Sequence, residues 1–290
     1  MNKKIIIAGG TGFLGRALSD FFKKKGDTVL VLTRTPRQKN HLYWDGMQEG
    51  KWISHLEKAD ILINLAGKSV DCRYHAKNKN AILSSRLNST HLLNKVMAQL
   101  SNPPKIWLNA SSATTYIHAE TIKMTEAKGI IGDDFSMGVC KQWEAAFFEK
   151  PIVGCRKVAM RTSIVLGDDG GAFPKLKILT RLGFGGKQGR GNQMVSYIFI
   201  QDFCRAVDFI IQQPNISGPV NITSPSPIPN ILFMEALRKR FKMPFGLNIG
   251  RPLLELGAWL SGTETELLLK SRFVYPEILI KKGFVFKEKL

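Results

Sequence analysis

Compact apolar or β-branched runs of four to six residues recur through the first two-thirds of the chain. They are Lys3–Ala8, Thr28–Thr33, His41–Trp44, Ile61–Leu65, Ile106–Ala110 and Lys157–Arg161. This is the pattern of strands buried on both faces of a parallel sheet. Between them lie longer stretches, Gly12–Lys25, Ile82–Leu100 and Phe135–Phe148, that read as helices. Strands alternating with helices predict an α/β fold with a doubly wound parallel sheet. The first helix carries its own stop signal. Lys23, Lys24 and Lys25 occupy its last turn, where the dipole is negative, and Gly26 supplies the left-handed residue that closes it.

The pattern changes after Gly167. Eight glycines between Gly167 and Gly191 predict a loop-rich insertion over residues 168–192, around a short helix near Pro174–Leu182. Ser196–Ile200, Asp202–Gln212 and Pro219–Ile222 read as strand, helix and strand returning to the sheet. Pro225, Pro227 and Pro229 break the alternation, and Asn230 suits the N-cap of a helix that runs to Phe241. One more apolar helix, Leu253–Leu260, follows in the tail. We therefore expect a main domain over residues 1–225 and a small C-terminal substrate lobe over residues 226–290.

Directly after the first predicted strand comes Gly9-Gly10-Thr11-Gly12-Phe13-Leu14-Gly15. Gly9, Gly12 and Gly15 stand three apart. A tight strand-to-helix turn needs a residue tolerant of positive φ, close backbone approach to a pyrophosphate leaves no room for a Cβ, and helix–strand packing needs a third small residue. The free N–H groups and partial positive charge of the following helix then face the phosphates. The position between an apolar strand and an amphipathic helix is the context that gives this pattern its meaning. A dinucleotide fold selective for NAD places an acid about 20 residues later to hold the ribose 2′-hydroxyl. Here the second strand ends in Thr33-Arg34-Thr35-Pro36-Arg37, with no acid. Arg34, supported by Arg37, suits a 2′-phosphate, so the expected cofactor is NADP(H).

Composition narrows the remaining chemistry. The chain has 290 residues, and 42 Lys and Arg against 23 Asp and Glu give a formal net charge of +19. Such an excess attracts anions. No helix-turn-helix, arginine-rich tract or basic-aromatic ribonucleoprotein motif accompanies it, so a specific nucleic-acid partner is not expected and the partner expected is a small anionic substrate. No apolar run approaches the ~20 residues of a membrane span. The lysines before Ile5 resemble the start of a signal peptide, but the apolar stretch is too short for one. Cys72, Cys140, Cys155 and Cys204 are widely spaced, without a CxxC pair or a histidine cluster. They read as reduced thiols of a cytoplasmic protein, and no metal site is expected.

With these residues in hand, the sequence resembles the extended and atypical short-chain dehydrogenase/reductases, and more narrowly the YfcH-like sugar-nucleotide epimerase family. The resemblance runs through Gly9–Gly15, Trp44-Asp45, Asn64-Leu65-Ala66-Gly67, Ser85-Arg86 with Thr90, and Ser111-Ser112-Ala113-Thr114-Thr115-Tyr116. It continues through Cys140-Lys141-Gln142-Trp143-Glu144, Arg161–Gly167 and Lys282-Gly283-Phe284-Val285-Phe286. It implies that Asp45 reads the adenine, that Leu65, Ala66 and Gly67 pass beside the adenine ribose and phosphates, and that Thr162, Ser163 and Ile164 meet the nicotinamide. It implies that Ser112 orients a substrate oxygen. The tyrosine and lysine that move the proton in this superfamily, spaced Tyr-x-x-x-Lys, have no counterpart. Lys141 in the lysine position leaves Met137 in place of the tyrosine, and alignment on Glu144 leaves Ser136 and Cys140 in the pair. Tyr116, Lys141 and Cys140 are the substitutes at hand. The usual arginine ahead of the aromatic strand is also missing, and Lys187 and Arg190 stand in for it as candidate substrate-binding residues. Two functions follow from this: an NADP(H)-dependent oxidoreductase or epimerase on a small hydroxyl or carbonyl compound, free or linked to a nucleotide, and an NADP(H)-binding sensor or protein-interaction module without turnover.

Overall fold

Seven parallel strands form the centre of the molecule. The computed structural model describes residues 2–290, with residues 267 and 268 described by their backbone alone. In chain order the first half runs β1 (Lys4–Ala8), α1 (Phe13–Lys24), β2 (Thr28–Thr33), β3 (His41–Tyr43), α2 (Ile53–Leu56), β4 (Ile61–Asn64), α3 (Ala76–Met97), β5 (Ile106–Ser112) and α4 (Phe135–Phe148). The second half runs β6 (Arg156–Thr162), β7 (Ile164–Leu166), α5 (Phe173–Leu179), β8 (Met194–Val195), β9 (Tyr197–Phe199), α6 (Ile200–Gln212), β10 (Gly218–Ile222), β11 (Ile228–Pro229), α7 (Asn230–Arg240), α8 (Arg251–Leu260), α9 (Glu266–Leu269) and α10 (Glu277–Lys281). The sheet order is β10-β6-β5-β4-β1-β2-β3. This is the doubly wound parallel architecture that the apolar runs predicted.

Side-chain alternation assigns each strand residue to one of two cores. Ile5 and Ile7 of β1 join one buried cluster with Leu18 and Phe22 of α1 and Phe203, Val207 and Ile210 of α6. Ile6 and Ala8 join the opposite cluster with Leu93, Val96 and Met97 of α3 and Phe147 just inside the end of α4. The buried positions of α1 (Gly15, Leu18, Ser19, Phe22) and, within the buried side of α6, Phe203, Ala206, Val207 and Ile210 repeat at three- and four-residue steps, so each helix lays a stripe on the sheet. A fully buried side chain of this kind contributes about 1.5–3 kcal/mol. The continuous strand runs in the sequence follow from this burial on both faces.

A smaller lobe caps the carboxyl end of the sheet. Its core joins Leu166 of β7, Phe173 of α5, Tyr197 and Phe199 of β9, and Phe233 and Leu237 of α7. Residues on both sides of position 225 thus share one lobe core, while Leu279 and Phe284 of the tail return to the main sheet core.

Two local differences from the expected pattern have physical causes. Helix α3 begins at Ala76 rather than Ile82 because His75 caps it, its Nδ1 accepting from the Asn78 N–H at 3.4 Å. The polar turns after the cap carry no apolar period to announce them. Asn230 is not a cap. It is the first residue of α7, buried, with its Oδ1 accepting from the Gln188 N–H at 2.8 Å. Among the described residues no helix is long and apolar enough to cross a membrane.

Candidate active site

The three glycines of the first turn play three different steric parts. Gly9 has φ +71°, and a Cβ there would lie 2.9 Å from the Ala66 backbone. Gly15 packs so closely that its Cβ would lie 2.4 Å from the Gly10 Cα. Gly12 is exposed, and its Cβ position meets nothing nearer than the Gly9 carbonyl at 3.8 Å. The space above Gly12 is therefore open at the N-terminus of α1, where no side chain caps the first N–H groups. Arg16 braces the turn by donating to the Thr11 carbonyl at 2.8 Å and to the Asp169 carbonyl at 3.1 Å. An open glycine face at an uncapped helix start fits a diphosphate.

The other predicted cofactor residues of this half follow β4, β2 and β3, at the same carboxyl edge of the sheet as the turn. Leu65 continues from β4 and donates its N–H to the Ala8 carbonyl at 2.9 Å, while the Ala66 N–H goes to Asn64 Oδ1 at 3.1 Å. Gly67 passes beside Arg86, whose guanidinium donates to the carbonyls of Lys68 and Ile82 and lies 5.0 Å over the Trp143 ring. Arg34 and Arg37 follow β2, exposed, and neither forms an ion pair among the described residues. Asp45 spends one oxygen on its own loop: Oδ1 accepts from the N–H groups of Met47 and Gln48, which hold its carboxyl below the ordinary range.

A cleft of about 400 Å³ opens from Phe13 and Leu14, directly after the glycine turn. It runs along the carboxyl ends of β5 and β6, past Ser112, Thr114, Thr162, Ser163 and Ile164, to the lobe. Ser112 Oγ donates to Thr114 Oγ1 at 2.9 Å and accepts from the Thr114 N–H at 3.2 Å. The Ser163 N–H donates to the Ile222 carbonyl at 3.1 Å, and the Ile164 N–H to the Ser196 carbonyl at 3.3 Å, which fixes the wall. A wider, open groove of about 790 Å³ lies between residues 47–49 and α3, away from the glycine turn and Ser112.

Two of the predicted catalytic side chains lie elsewhere. Tyr116 is fully buried, its hydroxyl donating to Asn221 Oδ1 at 2.9 Å and accepting from Arg161 at 2.9 Å. Burial, only partly offset by Arg161, raises the pKa of this phenol, and it does not line the cleft. Lys141 sits on the outer face of α4, paired with Asp133 at 2.8 Å in solvent. Cys140 is on the buried side of α4, and Glu144, one turn on, reaches in to accept from Ser111 Oγ at 2.6 Å. Burial, with the Glu144 charge adding to it, pushes the Cys140 thiol up to about 12, and burial does the same to Cys204. Both thiols therefore stay protonated near neutrality and do not act as bases there. A folded pKa above the ordinary value of 9.0 means that these thiols favour the fold fully below pH 9, and that this contribution is lost as the pH climbs toward 12. At about pH 8 we expect a thiol reagent to label Cys72 in the folded protein but Cys140 and Cys204 only in urea. Native labelling of Cys140 at the rate of a free thiol would contradict its placement.

The predicted anion-binding residues of the insertion also point away. Arg190 pairs with Glu120 at 2.6 Å in solvent, and Lys187 lies outside the cleft wall. Gln188, between them, lines the cleft, as do Glu266, Lys270 and Arg272 from the tail. No sequence motif marked these four. Among the described residues no group of three or more His, Cys, Asp or Glu side chains is arranged to hold a metal ion.

A parallel doubly wound sheet, a glycine turn before α1 and a hydroxyl-lined cleft under a smaller lobe define an extended short-chain dehydrogenase/reductase fold. The family model described as the NAD dependent epimerase/dehydratase family matches residues 5–130. An epimerase family protein of Staphylococcus epidermidis is 33% identical over 288 residues, covering 98% of this chain and 95% of the relative. The epimerase family protein YfhF of Bacillus subtilis is 30% identical, covering 97% and 93%. Among solved structures, the human epimerase family protein SDR39U1, crystallised with NADPH, superposes with a TM-score of 0.87 at 26% identity, covering 98% of this chain and 95% of that one. The nucleoside-diphosphate sugar epimerase of Corynebacterium glutamicum gives 0.81 at 28% identity, with 99% of this chain matching 56% of that one. The chain belongs to the NAD-dependent epimerase/dehydratase family.

Proposed function

We propose that this protein binds NADP(H) on the glycine turn and acts as an oxidoreductase or epimerase on a small anionic hydroxyl or carbonyl compound held in the cleft. One observation carries the reading: a single cleft joins the residues that follow the open glycine face to the Ser112 hydroxyl. Gly12 and the free N–H groups of α1 hold the diphosphate, Arg34 and Arg37 the 2′-phosphate, and Thr162, Ser163 and Ile164 border the nicotinamide. The relative crystallised with NADPH supports the phosphorylated cofactor. Bound there, the cofactor supplies or accepts hydride. Ser112, its hydroxyl paired with Thr114, orients the substrate oxygen, and the proton is exchanged with solvent in the cleft. A second reading, a sensor that holds the cofactor without turnover, is favoured by the absence of a phenol among the described residues of the cleft.

Titration with NADPH and NADH tests the cofactor. The native protein should prefer NADPH, and Arg34→Asp should weaken NADPH by roughly 10- to 100-fold, the range of a charge-assisted hydrogen bond. Equal affinity for both cofactors in the native protein would overturn the arginine assignment. Incubation with stereospecifically deuterated NADPH and a carbonyl library separates the two functions. Label in a product supports the enzyme, and label in none supports the sensor.

A further inference from the structure

Arg272 lies in the cleft wall at the lobe end, its N–H tied to the Met194 carbonyl at 2.8 Å. The guanidinium is half-buried. Its NH1 reaches the Ser271 carbonyl at 3.4 Å, and it forms no ion pair among the described residues. The nearby acids are engaged elsewhere. Asp134 accepts from Lys270 and caps α4 through the Met137 N–H, and Glu266 accepts from Lys270 at 2.8 Å and from Ser136 at 3.0 Å. Burial lowers the pKa of Arg272 more than Glu266, Asp134 and Cys140 together raise it, so its charge is under-compensated. The same wall holds a second unused donor: Gln188 is 1% exposed, its Oε1 accepts from Asn230 at 3.3 Å, and its Nε2 has no partner among the described residues. A buried donor left unpaired is costly, and Gln188 lies in the cleft lining.

Among the hydroxyls and amides of the wall stand the apolar side chains of Val70, Ile164, Leu176, Val195 and Phe233. Its volume of about 400 Å³ is near the low end of the roughly 300–1,000 Å³ usual for small-molecule sites, and the nicotinamide shares it. Lys270 is already paired with Asp134 and Glu266, so among the described residues of the wall the two phosphate charges of a nucleotide-linked sugar would meet one unpaired cation, Arg272.

We infer that the cleft takes a small amphiphilic anion: a hydrocarbon body with a carbonyl or hydroxyl at Ser112 and one carboxylate or phosphate on Arg272. This rests on the reading of the cleft as a substrate site beside NADP(H), and it replaces a nucleotide-linked sugar as the substrate class.

The test is calorimetric titration of the NADPH-saturated protein with hexanoate, hexyl phosphate, hexanol and UDP-glucose. One or both anions should bind roughly 10- to 100-fold more tightly than hexanol, and Arg272→Gln should remove that advantage while its NADPH affinity and melting temperature stay unchanged. Arg272→Lys, which keeps the charge, should retain part of the advantage. The stronger of hexanoate and hexyl phosphate identifies the anion. Tighter binding of UDP-glucose than of either anion, no anion binding, or anion binding indifferent to Arg272 each overturns the inference. Failure to bind NADPH in the preceding titration counts against the proposed function instead. Where Arg272→Gln fails to fold, Arg272→Lys tests the residue and the native-protein titrations test the ligand class.

Discussion

Glu144→Ala should lower stability by about 3–5 kcal/mol, because it leaves a guanidinium buried beside the cleft without its counterion. Glu144 and Arg161 form the most enclosed ion pair of the sheet's carboxyl end, with side chains 12% and 9% exposed. Arg161 donates from Nε to Oε1 at 2.8 Å and from NH2 to Oε2 at 2.6 Å, the two-pronged geometry that suits a carboxylate. Burial opposes the charge of Arg161, but hydrogen bonding and attraction to Glu144 outweigh it and hold its pKa above the ordinary value. The same carboxylate accepts from Ser111 Oγ at 2.6 Å, and Arg161 donates onward to Tyr116, which donates to Asn221. Strands β5, β6 and β10 and helix α4 are thereby joined under Ser112. Replacing both partners together, as Glu144→Leu with Arg161→Met, should recover most of the loss, since a buried pair costs desolvation that apolar residues do not. Urea unfolding followed by tryptophan fluorescence measures all three proteins. A cost below about 1 kcal/mol for Glu144→Ala would mean that solvent reaches the pair, contrary to its burial.

This network explains why the sheet was legible in the sequence and the proton chemistry was not. A strand buried on both faces announces itself locally, as Ile5-Ile6-Ile7-Ala8 does, because every position must be apolar. The glycine turn is local too, and each glycine's role follows from the strand before it and the helix after it. The place of Tyr116 depends on Asn221, 105 positions away, and on Arg161, 45 positions away, and nothing near residue 116 signals that its hydroxyl is already engaged. Lys141 and Glu144 differ in the phase of one helix. Val139, Trp143, Ala146 and Phe147 lie on the buried side of α4, and Lys141 faces away from it. The insertion gave Lys187 and Arg190 charge and glycine neighbours, but loop geometry turned Gln188 into the wall instead. Arg272 had no motif at all, since its position depends on a backbone bond to Met194 that crosses the lobe.

The glycine turn allows cofactor binding and folding to be separated by mutation. Gly12→Val should abolish detectable NADPH binding while leaving stability nearly unchanged. The backbone there, φ −75° and ψ 175°, is extended and open to any residue, and its Cβ would meet no atom of the fold nearer than 3.8 Å. The new side chain would instead fill the space over the α1 N-terminus that the diphosphate needs. Losing two charge-assisted hydrogen bonds costs about 3–6 kcal/mol, a loss of roughly 100-fold or more in affinity. Gly15→Val should remove binding and stability together, because its Cβ would lie 2.4 Å from the Gly10 Cα and 2.6 Å from the Gly10 carbonyl oxygen, both backbone atoms that cannot step aside. The helix would have to lift from the sheet, exposing Leu18 and Phe22 and displacing the N–H groups aimed at the phosphates. NADPH titration and thermal melting of the two variants check the contrast. A Gly12→Val protein that still binds NADPH like the native chain would show that the diphosphate does not lie over this turn.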